Sequence, residues 1–311
     1  MEVAGHAPDG VASLHTNEEK LRRLVDMSRE GIVSLDAADN FNFANPHMAK
    51  LLGIPVDELV GRPYLSVVAS AQQEAVREHL DMRRRGVSES YETVLNRADG
   101  SQIDVHISAA ALMGEREQYL GSIMVVSDIS ERKQWEAQIR HMAEHDPLTN
   151  LPNRVLFMEH LAQSIRQARR FSRSLALVFI DLDRFKEVND RFGHQVGDLA
   201  LVEAANRMRR VIRDIDVLCR HGGDEFILLF SEIASADNVD VLLEKIRAAF
   251  QAPFAMAGHT FELSVSMGVT IYPDHATEIN ELIRLADQAM YIAKKHGGNS
   301  FLVYTPDDLA A

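Results

Sequence analysis

The chain has 311 residues, of which 46% are hydrophobic and 25% charged, and a formal net charge of −13. That is the make-up of a globular protein in water, with length for two domains that each bury a core. The acidic balance argues against a nucleic-acid polymer as partner, since such a surface needs a basic patch, yet a nucleotide is compatible wherever a metal ion offsets its charge. A single cysteine, Cys219, excludes internal disulfides and cysteine-rich metal sites. No apolar run approaches the ~20 residues that span a bilayer, and residues 1–16 hold no apolar signal-peptide core. The expectation is a cytoplasmic protein with no membrane partner.

Residues 1–16 mix Gly, Ala, Pro, Asp and Ser without periodicity and read as a disordered leader. From residue 17 to about 129, short strands alternate with brief helices. Gly31-Ile-Val-Ser-Leu-Asp36 alternates apolar and polar residues, as a half-buried strand does, and Ala38-Asp-Asn40 turns the chain into Phe41-Asn-Phe43. Tyr91-Glu-Thr-Val-Leu95 and Gln102-Ile-Asp-Val-His-Ile107 flank Ala98-Asp-Gly100, where Asp-Gly marks a hairpin. A further hairpin leads into Gly121-Ser-Ile-Met-Val-Val126.

Phe43-Ala-Asn-Pro46, Leu51-Leu-Gly53, Glu58-Leu-Val-Gly-Arg62, Asp99-Gly100 and Asp128-Ile-Ser-Glu-Arg-Lys133 occur in one characteristic order. On these pieces residues 17–129 resemble a PAS domain, which implies an α+β sensory module and leaves its ligand unspecified. His79 falls on a PAS helix, but the residues around it do not repeat the haem-binding pattern. Flavin photochemistry would need a cysteine that this segment lacks. The stretch from about Ile129 to His145 contains neither Gly nor Pro, and Ile129, Trp135, Ile139 and Met142 lie near one side of a helix, so that residues 130–145 read as a helical linker. This signalling helix is expected to form a short parallel coiled coil between two copies, the alternative being a helix packed on its own domain.

From residue 146 to 311, helix-period segments at 155–171, 199–212, 239–250 and 281–295 alternate with strands at 175–180, 217–220, 225–230 and 261–271. The order α-β-α-β-β-α-β-α is that of an α/β domain with a central sheet. Leu175-Ala-Leu-Val-Phe-Ile180 is a continuous apolar run, the mark of a strand covered on both faces.

That run leads into Asp181-Leu-Asp183, two carboxylates at the end of a buried strand. Like charges placed together in low dielectric cost several kcal/mol unless a cation joins them. Oxygen ligands at such a place favour Mg²⁺, which holds phosphate oxygens besides one or two carboxylates. Asp183 could equally cap the next helix. Further on, Gly222-Gly223 lets the backbone turn sharply and a bulky phosphate come close, and Asp224-Glu225 follow at once. Two acidic groups brought together on adjacent strands could bind a metal, hold a triphosphate and activate a hydroxyl.

Three blocks now stand together: Asp146-Pro-Leu-Thr-Asn-Leu-Pro-Asn-Arg154, the run from Asp181 through Phe185-Lys186, Asn189 and His194 to Asp198, and Arg220-His-Gly-Gly-Asp-Glu-Phe226. Together they resemble the GGDEF family of diguanylate cyclases, over about residues 146–304. The resemblance implies a nucleotidyl-cyclase, palm-like central sheet flanked by helices. It implies a homodimer that condenses two GTP into cyclic di-GMP and two pyrophosphates with Mg²⁺, for which Mn²⁺ can substitute. Carried over position by position, Asp181, the Leu182 carbonyl and Asp224 are the metal ligands. Asn189 and Asp198 read guanine, whose N1–H and 2-amino group an aspartate accepts. Phe185 and His194 are further candidate substrate contacts, a structural role being the equal alternative for His194. Lys186 offsets charge building on the phosphates, Lys294 is a second phosphate contact, and Glu225 or Asp224 is the base.

Two positions depart from the family pattern. Asn150 stands where Gly is usual, a mild change because Asn tolerates the left-handed conformation. Gly298 stands where Arg is common, for which Lys295 or His296 could compensate. Arg213-Asp-Ile-Asp216 resembles the family's R-x-x-D product-inhibition site, the plainer alternative being a surface ion pair. Rival readings are a non-catalytic cyclic di-GMP sensor, which would not need Asp181, Asp224 and Glu225; an ATP cyclase, disfavoured by Asp198; and a PAS scaffold, which leaves the carboxylates unexplained.

Overall fold

The computed structural model describes residues 9–233 and 236–306. The chain divides into two compact units, Met1–Ala137 and Gln138–Ala311. The leader expected to lack structure is corrected in its second part, because Asp9–Asp26 form a helix (α1). Its sequence is rich in Leu, Lys and Arg, good helix formers, with Glu19 four residues before Arg23. Residues 1–8 of that leader lie outside the described residues.

The rest of the first unit runs β1 (Gly31–Asp36), β2 (Phe41–Ala44), α2 (Pro46–Leu52), α3 (Val56–Leu59), two 3₁₀ turns, α4 (Gln73–Arg84), β3 (Glu89–Asn96), β4 (Gln102–Met113) and β5 (Tyr119–Asp128). The strands make one antiparallel sheet in the order β2-β1-β5-β4-β3. The expected alternation is present: Val33 and Leu35 of β1, Ile103, Val105 and Ile107 of β4, and Met124 and Val126 of β5 are buried in one core with Phe41, Met48 and Tyr64. Asn45, in the Asn-Pro pair, organises the chain around β1. Its side-chain oxygen caps α2 at Met48 N–H (2.9 Å) and also accepts from Ile32 N–H (3.0 Å), while its amide donates to the Val25 and Glu30 carbonyls. Pro46 costs nothing at the first helical position, where no intrahelical donor is needed. His79 stacks on Tyr91 at 3.8 Å between ring centres, with Nδ1 2.7 Å from Glu89.

Ser130–Glu144 (α5) form the continuous helix expected between the two sequence blocks. None of its side chains is buried, and Trp135, Ile139 and Met142 are 62%, 64% and 72% exposed. Ile129, the stripe residue just ahead of α5, is buried at 7% exposure, whereas the other three are not covered by the chain's own domain.

The second unit contains α6 (Arg154–Phe171), β6 (Ser174–Asp183), α7 (Phe185–Phe192), α8 (His194–Arg209), β7 (Val217–Gly222), β8 (Glu225–Ile233), α9 (Ala236–Ala249), β9 (Phe254–Met256), β10 (His259–Phe261), β11 (Ser264–Tyr272), α10 (Ile279–Lys295) and β12 (Phe301–Val303). Its five-stranded sheet has the order β12-β11-β6-β8-β7, with β6 central and antiparallel to both neighbours. Several elements differ from expectation, and α7 is additional to the expected segments. The helix expected from 199 begins at His194, the strand expected over 261–271 is β10 and β11 in succession, and β9 and β12 are additional. Three-residue strands leave too little alternation to read from sequence.

Residues alternate across β6, so Ala176, Val178 and Ile180 join one core while Leu175, Leu177 and Phe179 join the other. The second core is closed by α6 and α10. There α10 rests directly on β11: a Cβ built on Gly268 would lie 2.1 Å from the Ala286 carbonyl oxygen and 2.1 Å from Met290 N. Among the described residues no helix is long and apolar enough to cross a membrane. Gly268→Ala must push the α10 backbone outward, and overpacking of this kind costs about 1–3 kcal/mol. Urea unfolding is expected to show a lowered midpoint of that size with an unchanged slope.

Candidate active site

The end of β6 gathers the chemistry. Strand alternation puts Asp181 and Asp183 on the α6/α10 side of the sheet, and the register sets Asp181 opposite Glu225 of β8. The turn between β7 and β8 is tied to the same strand end, because Leu182 N–H donates to the Asp224 carbonyl at 3.3 Å. Asp181 and Asp183 are only 7% and 8% exposed. From α10, Lys294 Nζ reaches Asp181 Oδ1 at 2.5 Å. Gly268 permits this approach, since Lys294 lies one turn beyond Met290.

The electrostatics follow from that crowding. Burial raises the Asp181 carboxyl above its ordinary range; Asp224 and Asp183 push the same way and Lys294 opposes. The Glu225 carboxyl is also raised, by burial first and then by Asp181, Asp287 and Asp224. Burial would lower the Lys294 ammonium, but Asp181, Asp224 and Asp183 outweigh it and hold its pKa above normal. The strand end thus carries more negative charge than one ammonium offsets. Among the described residues, no three His, Cys, Asp or Glu side chains form a metal cluster. The donors at hand are the carboxylates of Asp181 and Asp224 with a neighbouring backbone carbonyl. This oxygen set suits Mg²⁺, which takes few protein ligands and leaves places for water and phosphate.

Asp183 does not cap the following helix. The N-cap of α7 is Arg184, with no side-chain capping bond. Asp183 instead accepts from the Ser264 and Ser266 hydroxyls, both at 2.6 Å, and from Asn299 N–H at 2.8 Å. The pairing of β6 with β11 brings those serines to it.

The remaining expected residues fall in three places. Asn189 of α7 has its Oδ1 only 1.9 Å from where a Cβ on Gly197 would stand, so its amide lies against α8 beside Asp198. Asp198, His194 and Lys186 are exposed. Phe185, expected to touch substrate, is buried in the core that includes Val188 and Val196, and its ring Cζ lies 3.3 Å from where a Cβ on Gly197 would stand, on the side of Asn189. Arg213 and Asp216 are close through the backbone rather than as an ion pair. Asp216 Oδ2 accepts from Arg213 N–H at 3.0 Å, and Asp216 N–H donates to the Arg213 carbonyl at 3.0 Å. The spacing closes a turn between α8 and β7 and leaves the Arg213 side chain exposed. Lys295 lies over the Tyr291 ring at 4.6 Å. Asn150 has φ 54°, the left-handed conformation expected of it.

One organising residue had no role assigned from sequence. Arg220 Nη1 contacts both Asp146 oxygens at 3.0 Å, while its Nε and Nη2 donate to the Gly223 carbonyl at 3.0 and 2.8 Å. It locks the Gly-Gly turn to the motif that opens the domain. Burial pushes the Asp146 carboxyl up, but the Thr149 hydroxyl and N–H and Arg220 outweigh it, so it stays below its ordinary value. An arginine two residues before the turn and an aspartate heading a separate motif were the signal available.

A raised carboxyl pKa means the folded state holds a proton that the unfolded chain releases. Without divalent metal, stability therefore falls as pH rises from the ordinary Glu value of 4.5 through the raised Glu225 value. Glu225→Gln is expected to flatten this dependence and to raise the Tm in EDTA at pH 7 by about 2 °C, the response to a fraction of a kcal/mol. Differential scanning calorimetry of both proteins across pH checks it.

Comparison with known proteins identifies the two domains. The family described as "Diguanylate cyclase, GGDEF domain" matches residues 143–300, and the PAS fold matches residues 19–129. The protein named "Probable diguanylate cyclase DgcE" of Escherichia coli is 33% identical over 96% of the chain, which covers 27% of that protein. The solved GGDEF domain of TpbB from Pseudomonas aeruginosa is 41% identical, covers 53% of the chain and 97% of that domain, and superposes with a TM-score of 0.52. The coiled coil and GGDEF domain of DgcB from Caulobacter crescentus, solved with c-di-GMP, is 28% identical with a TM-score of 0.52, over 56% of this chain and 93% of that one. The chain spans 27%, 34% and 41% of the length of three curated relatives it matches. With a PAS fold ahead of a domain whose acidic strand end and Gly-Gly turn meet as described, the chain belongs to the GGDEF family of diguanylate cyclases.

Proposed function

We propose that the protein is a diguanylate cyclase that joins two GTP molecules into cyclic di-GMP. The carrying observation is the convergence of Asp181, Asp224, Glu225 and Lys294 at one strand end, with Asn189 and Asp198 together on α7 and α8. Asp181, Asp224 and the Leu182 carbonyl would hold Mg²⁺, with Mn²⁺ as a substitute, which when bound neutralises triphosphate charge and polarises the reacting phosphate. Lys294 and the exposed Lys186 flank the phosphates. Asp198 accepts from the guanine N1–H and 2-amino group, with Asn189 beside it.

In the reaction the 3′-oxygen of one GTP bonds to the α-phosphorus of the other while the bond to pyrophosphate breaks. The hydroxyl proton goes to a carboxylate. Burial and three neighbouring carboxylates raise the proton affinity of Glu225, which favours it as the base; Asp224 then serves as the metal ligand. One domain presents one GTP, so two copies must face each other. The exposed Trp135, Ile139 and Met142 stripe offers the seam for such a dimer, and the PAS fold would bias how often the halves meet. Arg213, exposed beside the Asp216 turn, is the proposed contact for product feedback.

Incubation with GTP and Mg²⁺ is expected to yield cyclic di-GMP and pyrophosphate. Asp224→Asn should lower turnover by roughly 10²–10³-fold, the scale of losing a group that stabilises transition-state charge. A product containing adenine, or no cyclic dinucleotide at high enzyme concentration with a product-removing phosphodiesterase present, would overturn the assignment. Asp198→Ala is expected to raise the KM for GTP by about 10–100-fold, matching the ~1.5–3 kcal/mol of charged hydrogen bonds lost. Arg213→Ala is expected to keep the initial rate and lose product inhibition, read from progress curves with added cyclic di-GMP.

A further inference from the structure

Next to the acidic centre lies a polar cleft of about 580 Å³, lined by Asp183, Arg184, Glu262, Lys294 and the turn Gly297-Gly298-Asn299. Two of its charges are already engaged. Asp183 accepts from Ser264, Ser266 and Asn299 N–H, and Lys294 is held on Asp181. Arg184 differs from both. Its side chain is exposed and makes no hydrogen bond or ion pair with the described residues, its backbone carbonyl alone accepting from Glu187 N–H at 2.9 Å. Its backbone also stands at φ 57° and ψ 23°, a left-handed conformation that a residue with a Cβ adopts reluctantly.

The turn across from these groups cannot supply a cation of its own. Gly298 has φ 72°, and a Cβ there would lie 2.9 Å from Cγ and from both oxygens of Asp183. Any side chain at 298 would displace a carboxylate that three donors hold. Lys295 is turned onto Tyr291. A phosphate chain entering the cleft therefore meets Asp183 and Glu262, with Lys294 already shared and one uncommitted guanidinium among the described lining residues. A guanidinium forks two phosphate oxygens, which an ammonium does not.

We propose that Arg184 is a polyphosphate-binding residue, its guanidinium engaging the terminal phosphates of the bound nucleoside triphosphate in this cleft. The identity of the nucleotide rests on the cyclase reading; the binding of a phosphate chain does not. The test is calorimetric titration of the full chain, with Mg²⁺ present, using inorganic tripolyphosphate, a non-hydrolysable GTP analogue and GMP. Arg184→Gln is expected to weaken tripolyphosphate and the GTP analogue about tenfold and leave GMP unchanged, with Arg184→Lys recovering part of the loss. Arg184→Gly relieves the left-handed backbone, so it should melt no lower than the parent chain and still lose the same affinity. In turnover, the KM for GTP should rise about tenfold in Arg184→Gln while kcat changes less. Unchanged tripolyphosphate affinity in Arg184→Gln and Arg184→Gly would overturn the assignment even if the protein makes cyclic di-GMP; so would an equal loss of GMP binding. Arg184-dependent tripolyphosphate binding without cyclic product would sustain it and remove the cyclase reading instead.

Discussion

Asp181 is a carboxylate at the buried end of a central strand, and it is not stable there alone. Its neighbours make this harder, because Asp183 follows on the same face, Glu225 lies opposite in register and Asp224 sits on the adjoining turn. Lys294 answers part of that charge from α10. The answer depends on packing some distance away: α10 can descend onto β11 only because Gly268 leaves room for its backbone. The unmet remainder of the charge is what would favour a divalent cation, and with it a triphosphate, in the proposed reading. Destabilisation and function share one origin, as is common where acids are gathered for chemistry.

The acidic centre is held in shape by charges that do no chemistry themselves. Arg220 spans from the Gly223 carbonyl to both oxygens of Asp146, so the turn bearing Asp224 and Glu225 is fastened to the segment that follows α5. Asn153 reaches the same segment, with Nδ2 2.6 Å from the Ala143 carbonyl and its N–H donating to Glu144. The last turn of the exposed helix is thereby joined through hydrogen bonds to the motif beside the acids. Such a chain of contacts is a physical route from the end of α5 to the acidic site. Asp183 has a similar supporting place, bracing β11 and the turn after α10.

Much of this was legible beforehand because it depends on local chemistry. Period-two alternation found β1 and β4, a continuous apolar run found β6, and the Gly-Gly turn between apolar runs found β7 and β8. The left-handed Asn150 and the exposed stripe on α5 were also foreseeable from residue type and spacing. Other features were not. A helix over 9–26 was missed because its first residues lack an apolar stripe, and β9 and β12 because three residues carry no period. The burial of Phe185 is likewise not visible in spacing, because it depends on how α7 packs against α8. The pair Arg213 and Asp216 reads as an ion pair from spacing alone, but the turn it closes satisfies the carboxylate with a backbone N–H instead.

The sequence by itself determined which groups exist and roughly where strands end: two acids after a buried strand, two after a glycine turn, an amide and an acid on the helices between. Local spacing and residue chemistry suffice for that. Only the tertiary structure decided which of them meet. The register that sets Asp181 against Glu225, the descent of α10 that brings Lys294 to Asp181, the three donors that hold Asp183 and exclude a side chain at 298, and the reach of Arg220 to Asp146 all join residues far apart in the chain. Such contacts arise from how sheets and helices pack, which no local pattern encodes.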